Sequence, residues 1–238
     1  MLLRVKNVSM YFGRLAAVSD LSFGVEEGEV FGIAGPNGAG KTTLFNLITG
    51  IYRGSGEIIF NDTSIQSWQP YRICHLGIAR TFQIPQLFLS LPVYQNVRAG
   101  AHFGARQKSS DVKINIEEVI EFVGLKGKEE VSAANLKLLD KKLTMLATAL
   151  ATKPKLLLLD EPISGLNPGE AQFSVELFQR INKELNITIV IIEHFMKILT
   201  QLSKRLMILE NGRQICCDTP AAVTCDKRVI ESYLGDAY

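Results

Sequence analysis

Gly35-Pro36-Asn37-Gly38-Ala39-Gly40-Lys41-Thr42 fits the pattern GxxxxGK followed by Ser or Thr. An apolar run, Val30–Ala34, precedes it and reads as a strand. Lys41–Ile48 follows it and reads as a helix. Strand, glycine-rich loop and helix is the context in which this spacing builds a phosphate cradle. Glycines let several backbone N–H groups converge on phosphate oxygens without a Cβ in the way. The helix N-terminus adds the positive end of its dipole. Lys41 is placed to reach the outer phosphates, and the Thr42 hydroxyl, with Thr43 beside it, is placed to hold a divalent cation. A strand that feeds a helix through such a loop belongs to an open α/β fold with a mainly parallel sheet.

Working outward, the next informative stretch is Leu156-Leu157-Leu158-Leu159-Asp160-Glu161. Four consecutive leucines suit a strand buried on both faces. Two carboxylates at its C-terminal end lie where open α/β sheets place their ligands. Asp160 is a candidate Mg²⁺ ligand, and Glu161 can take a proton from an attacking water. Lys155–Asp160 and Thr188–Ile192 read as strands, with a helix from about Gly169 to Leu185 between them. That is a βαβ unit and implies parallel pairing.

The N-terminal flank reads differently. Leu2–Val8 and Ala17–Val25 are short strands, and Glu57–Phe60 is another. Ile116, Val119, Ile120 and Val123 recur at i, i+3, i+4 and i+7 and mark an amphipathic helix. A second helix is expected over Lys141–Ala151, stopped before Pro154. Leu206–Glu210 and Arg213–Cys217 form a hairpin about Asn211-Gly212, the pair a primed turn prefers. Thr219-Pro220 supplies a cap and an N1 proline to a last helical segment. The expected domain is single, over 1–238. It has an antiparallel β flank at about 1–30 and 56–70, a helical insertion at about 87–151, and an α/β core in the remainder.

The chain has 238 residues, 47% of them hydrophobic, and a net charge of +2. Such a balance argues against a nucleic-acid partner. Cys74, Cys216, Cys217 and Cys225 are not spaced as a metal or redox motif, and reduced, half-buried thiols are expected. Met1–Met10 alternates apolar and polar residues, unlike a signal peptide. The longest apolar runs, 156–159 and 187–192, fall far short of the ~20 residues a membrane span needs. Any membrane role is therefore expected to come through a partner.

Taken together, these motifs resemble the ATP-binding subunits of ABC transporters along the whole chain. GPNGAGKTTL, Gly35–Leu44, is the wording such subunits give the phosphate loop. The resemblance implies a P-loop NTPase core with an inserted helical subdomain, ATP and Mg²⁺ as ligands, and an ATPase reaction coupled to transport. It assigns Gln83, in Ile78-Ala79-Arg80-Thr81-Phe82-Gln83, to the loop that touches Mg²⁺ and senses the membrane partner. His194, after Ile191-Ile192-Glu193, matches the switch histidine facing the γ-phosphate. Ser164-Gly165-Leu166-Asn167 matches the D-loop, with Asn where Asp is usual. Phe12, before Gly13, matches the aromatic that stacks on adenine, and Tyr11 competes for that place. His75–Gln83 and Asp226–Gly235 are similar to the corresponding stretches of branched-chain amino acid importers. Urea-type importers and the lipopolysaccharide-export ATPase share parts of both stretches. The insertion between Ala101 and Ile116 is shorter than is usual in that group.

One segment departs from the family. Leu136-Lys137-Leu138-Leu139-Asp140 stands where LSGGQ is usual, and its serine and both glycines are gone. In ABC dimers that segment meets the γ-phosphate held by the opposite subunit. A carboxylate there would be repelled by roughly 4 kcal/mol per charge pair at about 4 Å and an effective dielectric of about 20. Asp140 is therefore expected to turn away and cap the helix starting near Lys141, with Lys137 a possible replacement donor. The implied partners are transmembrane permease subunits, a second ATP-binding subunit in a heteromeric pair, and a periplasmic or extracellular substrate-binding protein. The implied location is the cytoplasmic face of the inner membrane. Two rival readings remain: a soluble ABC ATPase of repair or translation, which 238 residues and near-neutral charge disfavour, and a regulatory ATP-binding module with poor turnover.

Overall fold

The computed structural model describes residues 1–104 and 116–234, and the side chains of 231–234 are not described. The core of the expected short insertion, residues 105–115, and Gly235 lie outside the described residues. In chain order the elements are β1 (Leu3–Phe12), β2 (Leu15–Val25), β3 (Val30–Ala34), α1 (Lys41–Ile48), β4 (Ser55–Phe60), β5 (Thr63–Ser64), α2 (Pro70–Leu76) and β6 (Ile78–Thr81). Then come α3 (Val93–Phe103), α4 (Ile116–Phe122), α5 (Leu138–Leu150), β7 (Leu156–Asp160), α6 (Pro168–Glu184) and β8 (Thr188–Ile192). The chain ends with α7 (Met196–Leu202), β9 (Arg205–Glu210), β10 (Arg213–Asp218), α8 (Pro220–Cys225) and α9 (Lys227–Leu234). Two compact units result, Met1–Pro70 with Thr188–Tyr238, and Tyr71–Ile187.

In the first unit an antiparallel sheet runs in the order β2-β1-β4-β5. Beside it, β3 pairs in parallel with β8 and with β9, and β9 turns back into β10. Every residue of β3 and β8 is buried, which is why both read as unbroken apolar runs rather than as alternating ones. Phe31, Phe60 and, from α1, Leu44, Phe45 and Ile48 are fully buried in this unit's core. The β9–β10 turn has Asn211 at φ 48° and Gly212 at φ 76°, the two positive values a type I′ turn requires. Thr219 accepts from the Ala222 N–H with Pro220 at the first helical position, so α8 starts as expected.

In the second unit β6 and β7 pair in parallel, Ile78 with Leu156 through Thr81 with Leu159. Leu156–Leu159 are fully buried. Helix α3 packs on α4 and α5. The buried Asn96 amide holds the turn before α3. It accepts from Phe88 N–H and donates to the Phe88, Leu91 and Pro92 carbonyls.

One expected boundary is corrected. The helix expected from Lys141 begins at Leu138, with the extended Lys137 as its cap position and no side-chain cap bond. Asp140 therefore does not cap it. It lies in the first turn, where a carboxylate favours the helix dipole, and both of its oxygens accept from Lys128 Nζ at 2.7 Å. Elements without a sequence expectation are β5, α2, β6, α3, α7 and α9, the last being a second C-terminal helix where one segment was expected. The four cysteines form no disulfide, and burial pushes the Cys74 and Cys217 thiols up. Among the described residues no helix is long and apolar enough to cross a membrane.

Candidate functional site

Parallel register sets the positions of the candidate residues in each unit. In the first, Ile33 pairs with Ile192. Gly35 and His194 each lie two residues further on, so both leave the C-terminal end of their strands. In the second, Thr81 pairs with Leu159. Gln83 and Glu161 again each lie two residues further on.

The loop from Gly35 to Gly40 hugs its surroundings. A Cβ at Gly35 would come within 2.1 Å of the Leu209 carbonyl oxygen, and one at Gly40 within 2.2 Å of that of Ala17. Gly40 also has φ 99°, a conformation that side chains rarely allow. The loop is tied to the β9–β10 turn, since Gly212 N–H donates to Ala39 O, and that turn is tied to β2, since Ser19 N–H donates to Gly212 O. Pro36, Asn37 and Gly38 are exposed, Ala39 is buried, and Thr42 and Thr43 open α1 with Thr42 exposed. Lys41 is 6% exposed. Its Nζ donates to the carbonyls of Gly35 at 2.8 Å and Pro36 at 2.9 Å. The loop thus combines a helix N-terminus, close-packed glycines and an ammonium drawn over them.

Phe12 and Tyr11 end β1 and are both exposed. Neighbours on a strand point to opposite faces, so one ring at most meets a given base. Phe12 is braced edge-on by Tyr52, ring centroids 5.4 Å apart. His194 is half-buried just past β8.

In the second unit Asp160 is 2% exposed. Its Oδ2 meets Arg80 Nη2 at 2.7 Å, with both side chains at 5% exposure or less. Glu161 has φ 46°, a strained backbone for a non-glycine residue and of a kind that gathers at functional sites. Gln83 Nε2 donates to Glu161 Oε2 at 2.7 Å. The buried Lys142 donates to the Glu161 carbonyl at 3.2 Å and reaches that of Gln83 at 3.5 Å. The structure thus brings Gln83, Asp160 and Glu161 together on two adjacent strand ends. Asn167 caps α6 in a reciprocal box, its side chain accepting from Glu170 N–H while Glu170 accepts from Asn167 N–H. In the Leu136–Asp140 segment, Leu136 is buried, Lys137 and Leu138 are exposed, and Asp140 is committed to Lys128.

Sequence reasoning gave no role to Arg80 or Lys142. A signal for Arg80 was present, because an arginine within a strand of buried residues requires a counter-ion. Lys142 offers no comparable signal, since its acceptors are backbone carbonyls whose place depends on the fold.

Two family models match this chain: that of ABC transporters over residues 18–164, and that of branched-chain amino acid ATP-binding cassette transporters over residues 213–238. The high-affinity branched-chain amino acid transport ATP-binding protein LivG of Salmonella typhimurium is 33% identical, with 99% of this chain and 98% of the relative covered. The corresponding protein BraF of Pseudomonas aeruginosa is 32% identical at the same coverage. A crystal structure of the ADP conformation of an ABC transporter's ATP-binding cassette superimposes with a TM-score of 0.87 at 31% identity, over 99% of each chain.

Proposed function

Because the chain belongs to the ABC transporter ATP-binding family, we propose that it is the ATP-hydrolysing subunit of an importer for branched-chain amino acids. It works at the cytoplasmic face of the inner membrane through permease subunits. A substrate-binding protein delivers the amino acid from outside, and a second, different ATP-binding subunit completes the pair. The observation that carries the hydrolytic reading is the hydrogen bond between Gln83 and Glu161 at the ends of two parallel strands. It fixes a carboxylate oxygen beside a residue of the family's sensing loop. The substrate class rests on the relatives' names and on whole-chain identity of about a third.

Each residue then has a task. The backbone N–H groups of Gly35–Thr43 and the Lys41 ammonium bind the phosphates, with Lys41 exchanging its two carbonyl partners for phosphate oxygens. Phe12 stacks on adenine. Glu161 takes the proton of the attacking water as the γ-phosphoryl leaves, and His194 stabilises that phosphoryl. The oxygens of Thr42, Gln83 and Asp160 are hard donors of the kind Mg²⁺ prefers. Gln83 Nε2 donates to Glu161, so its amide oxygen would be the donor to a cation. When bound, the ion neutralises charge on the phosphate oxygens.

The Leu136–Asp140 segment motivates the second reading, a regulatory module that binds ATP and turns it over poorly. The test is ATP hydrolysis and uptake of labelled leucine by the assembled transporter in vesicles. ATP-driven leucine uptake is expected. Stimulation by urea in place of leucine would overturn the substrate class. Tight ATP binding without turnover, with or without the permease, would favour the regulatory module.

A further inference from the structure

We propose that Arg80 is a positioning residue that makes divalent-cation binding at Asp160 conditional on nucleotide phosphate. The inference rests on the reading of Asp160 as a Mg²⁺ ligand and goes beyond it.

Arg80 Nη2 lies 2.7 Å from Asp160 Oδ2, and the two side chains are 5% and 3% exposed. The guanidinium also sits 4.7 Å from the Phe82 ring centroid, so it has a carboxylate and an aromatic face as neighbours. Phe82 is fixed in turn, its N–H donating to the Met145 sulfur at 3.4 Å. Arginine does not deprotonate in proteins, so this positive charge is permanent. Shielding from water makes its effect on Asp160 stronger than a surface pair would give. Among the described residues no group of three or more His, Cys, Asp or Glu side chains gathers to hold a metal. Asp160 thus has a cation already beside it, and the neighbouring Glu161 carboxylate accepts from Gln83. Mg²⁺ dehydrates reluctantly and is usually held by one or two carboxylates plus substrate phosphates. With the charge of Asp160 balanced by Arg80, the negative charge that captures the ion has to come from the nucleotide. The metal therefore loads with ATP and not ahead of it, which keeps the empty subunit from holding a misplaced cation.

The experiment titrates Mn²⁺, a paramagnetic substitute for Mg²⁺, into the full chain and follows the free ion by electron paramagnetic resonance. It is done with and without a non-hydrolysable ATP analogue, with the ion taken up by the analogue alone subtracted and analogue binding followed by titration calorimetry. In the wild type, Mn²⁺ is expected to bind about 100-fold more tightly with the analogue, because a triphosphate supplies several negative oxygens close to the ion. Arg80→Gln should tighten nucleotide-free Mn²⁺ binding by about tenfold or more, because one positive charge near the ion is gone. Arg80→Lys should stay near the wild type. Adding Asp160→Asn to Arg80→Gln should abolish the gain. Unchanged or weaker nucleotide-free binding in Arg80→Gln would overturn the inference. So would a wild-type chain that binds Mn²⁺ equally well without nucleotide, a result that needs no variant to fold. A wild type that fails to bind the analogue would instead overturn the ATP-binding reading itself, and this inference with it.

Discussion

Lys41 Nζ contacts the carbonyl oxygens of Gly35 and Pro36, partners that a phosphate would displace. A role confined to phosphate has a distinctive signature. Lys41→Ala should weaken ATP binding far more than adenosine binding, and equal weakening of both would make the lysine structural. Phe12→Ala should weaken ATP and adenosine alike, by about 1–3 kcal/mol on the scale of base stacking. Titration calorimetry with both ligands checks the pair of expectations. If Tyr11→Ala has the effect and Phe12→Ala does not, the stacking ring is Tyr11. Glu161→Gln keeps the shape of the side chain and loses its basicity, so ATP binding should persist while turnover falls ~10²–10⁴-fold. Near-normal turnover in that variant would remove Glu161 from the chemistry. Lys41 and Glu161 stood out as candidates in the sequence because phosphate chemistry demands particular residue types at fixed spacing, and Phe12 through the family resemblance. Arg80 and Lys142 were not given roles, because what each one does depends on a partner 80 and 19 residues away.

At the level of elements, legibility followed local signals. Asn211-Gly212 announced its hairpin, and Thr219-Pro220 its helix start. Val30–Ala34, Lys41–Ile48 and Thr188–Ile192 were read with the bounds the structure gives them. The start of α5 was misread because Asp140 resembles a cap residue. The leucines at 138 and 139 are good helix formers, and they extend the helix one turn further back. Strand β6 has four residues, too few for a period to show. Helix α6 shows what a local cap contributes. The Asn167–Glu170 box satisfies two backbone N–H groups of the first turn. Asn167→Ala should cost about 1 kcal/mol of stability, read as a lower urea midpoint with an unchanged slope. Asn167→Asp should retain the cap, because aspartate accepts the same bond. An unchanged midpoint in the alanine variant would show that tertiary packing alone fixes that end of α6.

At the scale of the whole molecule, the order of motifs along the chain made the fold class readable. The quality of the Leu136–Asp140 segment is a different matter, because that segment is expected to act on another subunit. The residues expected to contact the chain's own ATP are complete in type, from Gly35–Thr43 through Glu161 to His194. The segment expected to meet the opposite subunit's γ-phosphate has lost its serine and glycines, and its Asp140 is engaged by Lys128. In a homodimer both sites would join a sound phosphate loop to weak contacts from across the interface. Removing one preorganised donor from a developing charge typically costs ~10²–10³ in rate, and here several are absent. A partner bearing an intact segment would leave one site fully equipped, and that site would hold its ATP on this chain's Lys41 and Glu161. We therefore expect a heteromeric transporter in which hydrolysis runs mainly at this chain's phosphate loop. Assembling the complex and changing the catalytic glutamate of each ATP-binding subunit in turn checks this. Glu161→Gln should remove most turnover, while the corresponding change in the partner should spare much of it. The reverse ranking, or brisk hydrolysis by a purified homodimer, would show Leu136–Asp140 to be a competent variant whose Lys128–Asp140 pair opens when nucleotide arrives.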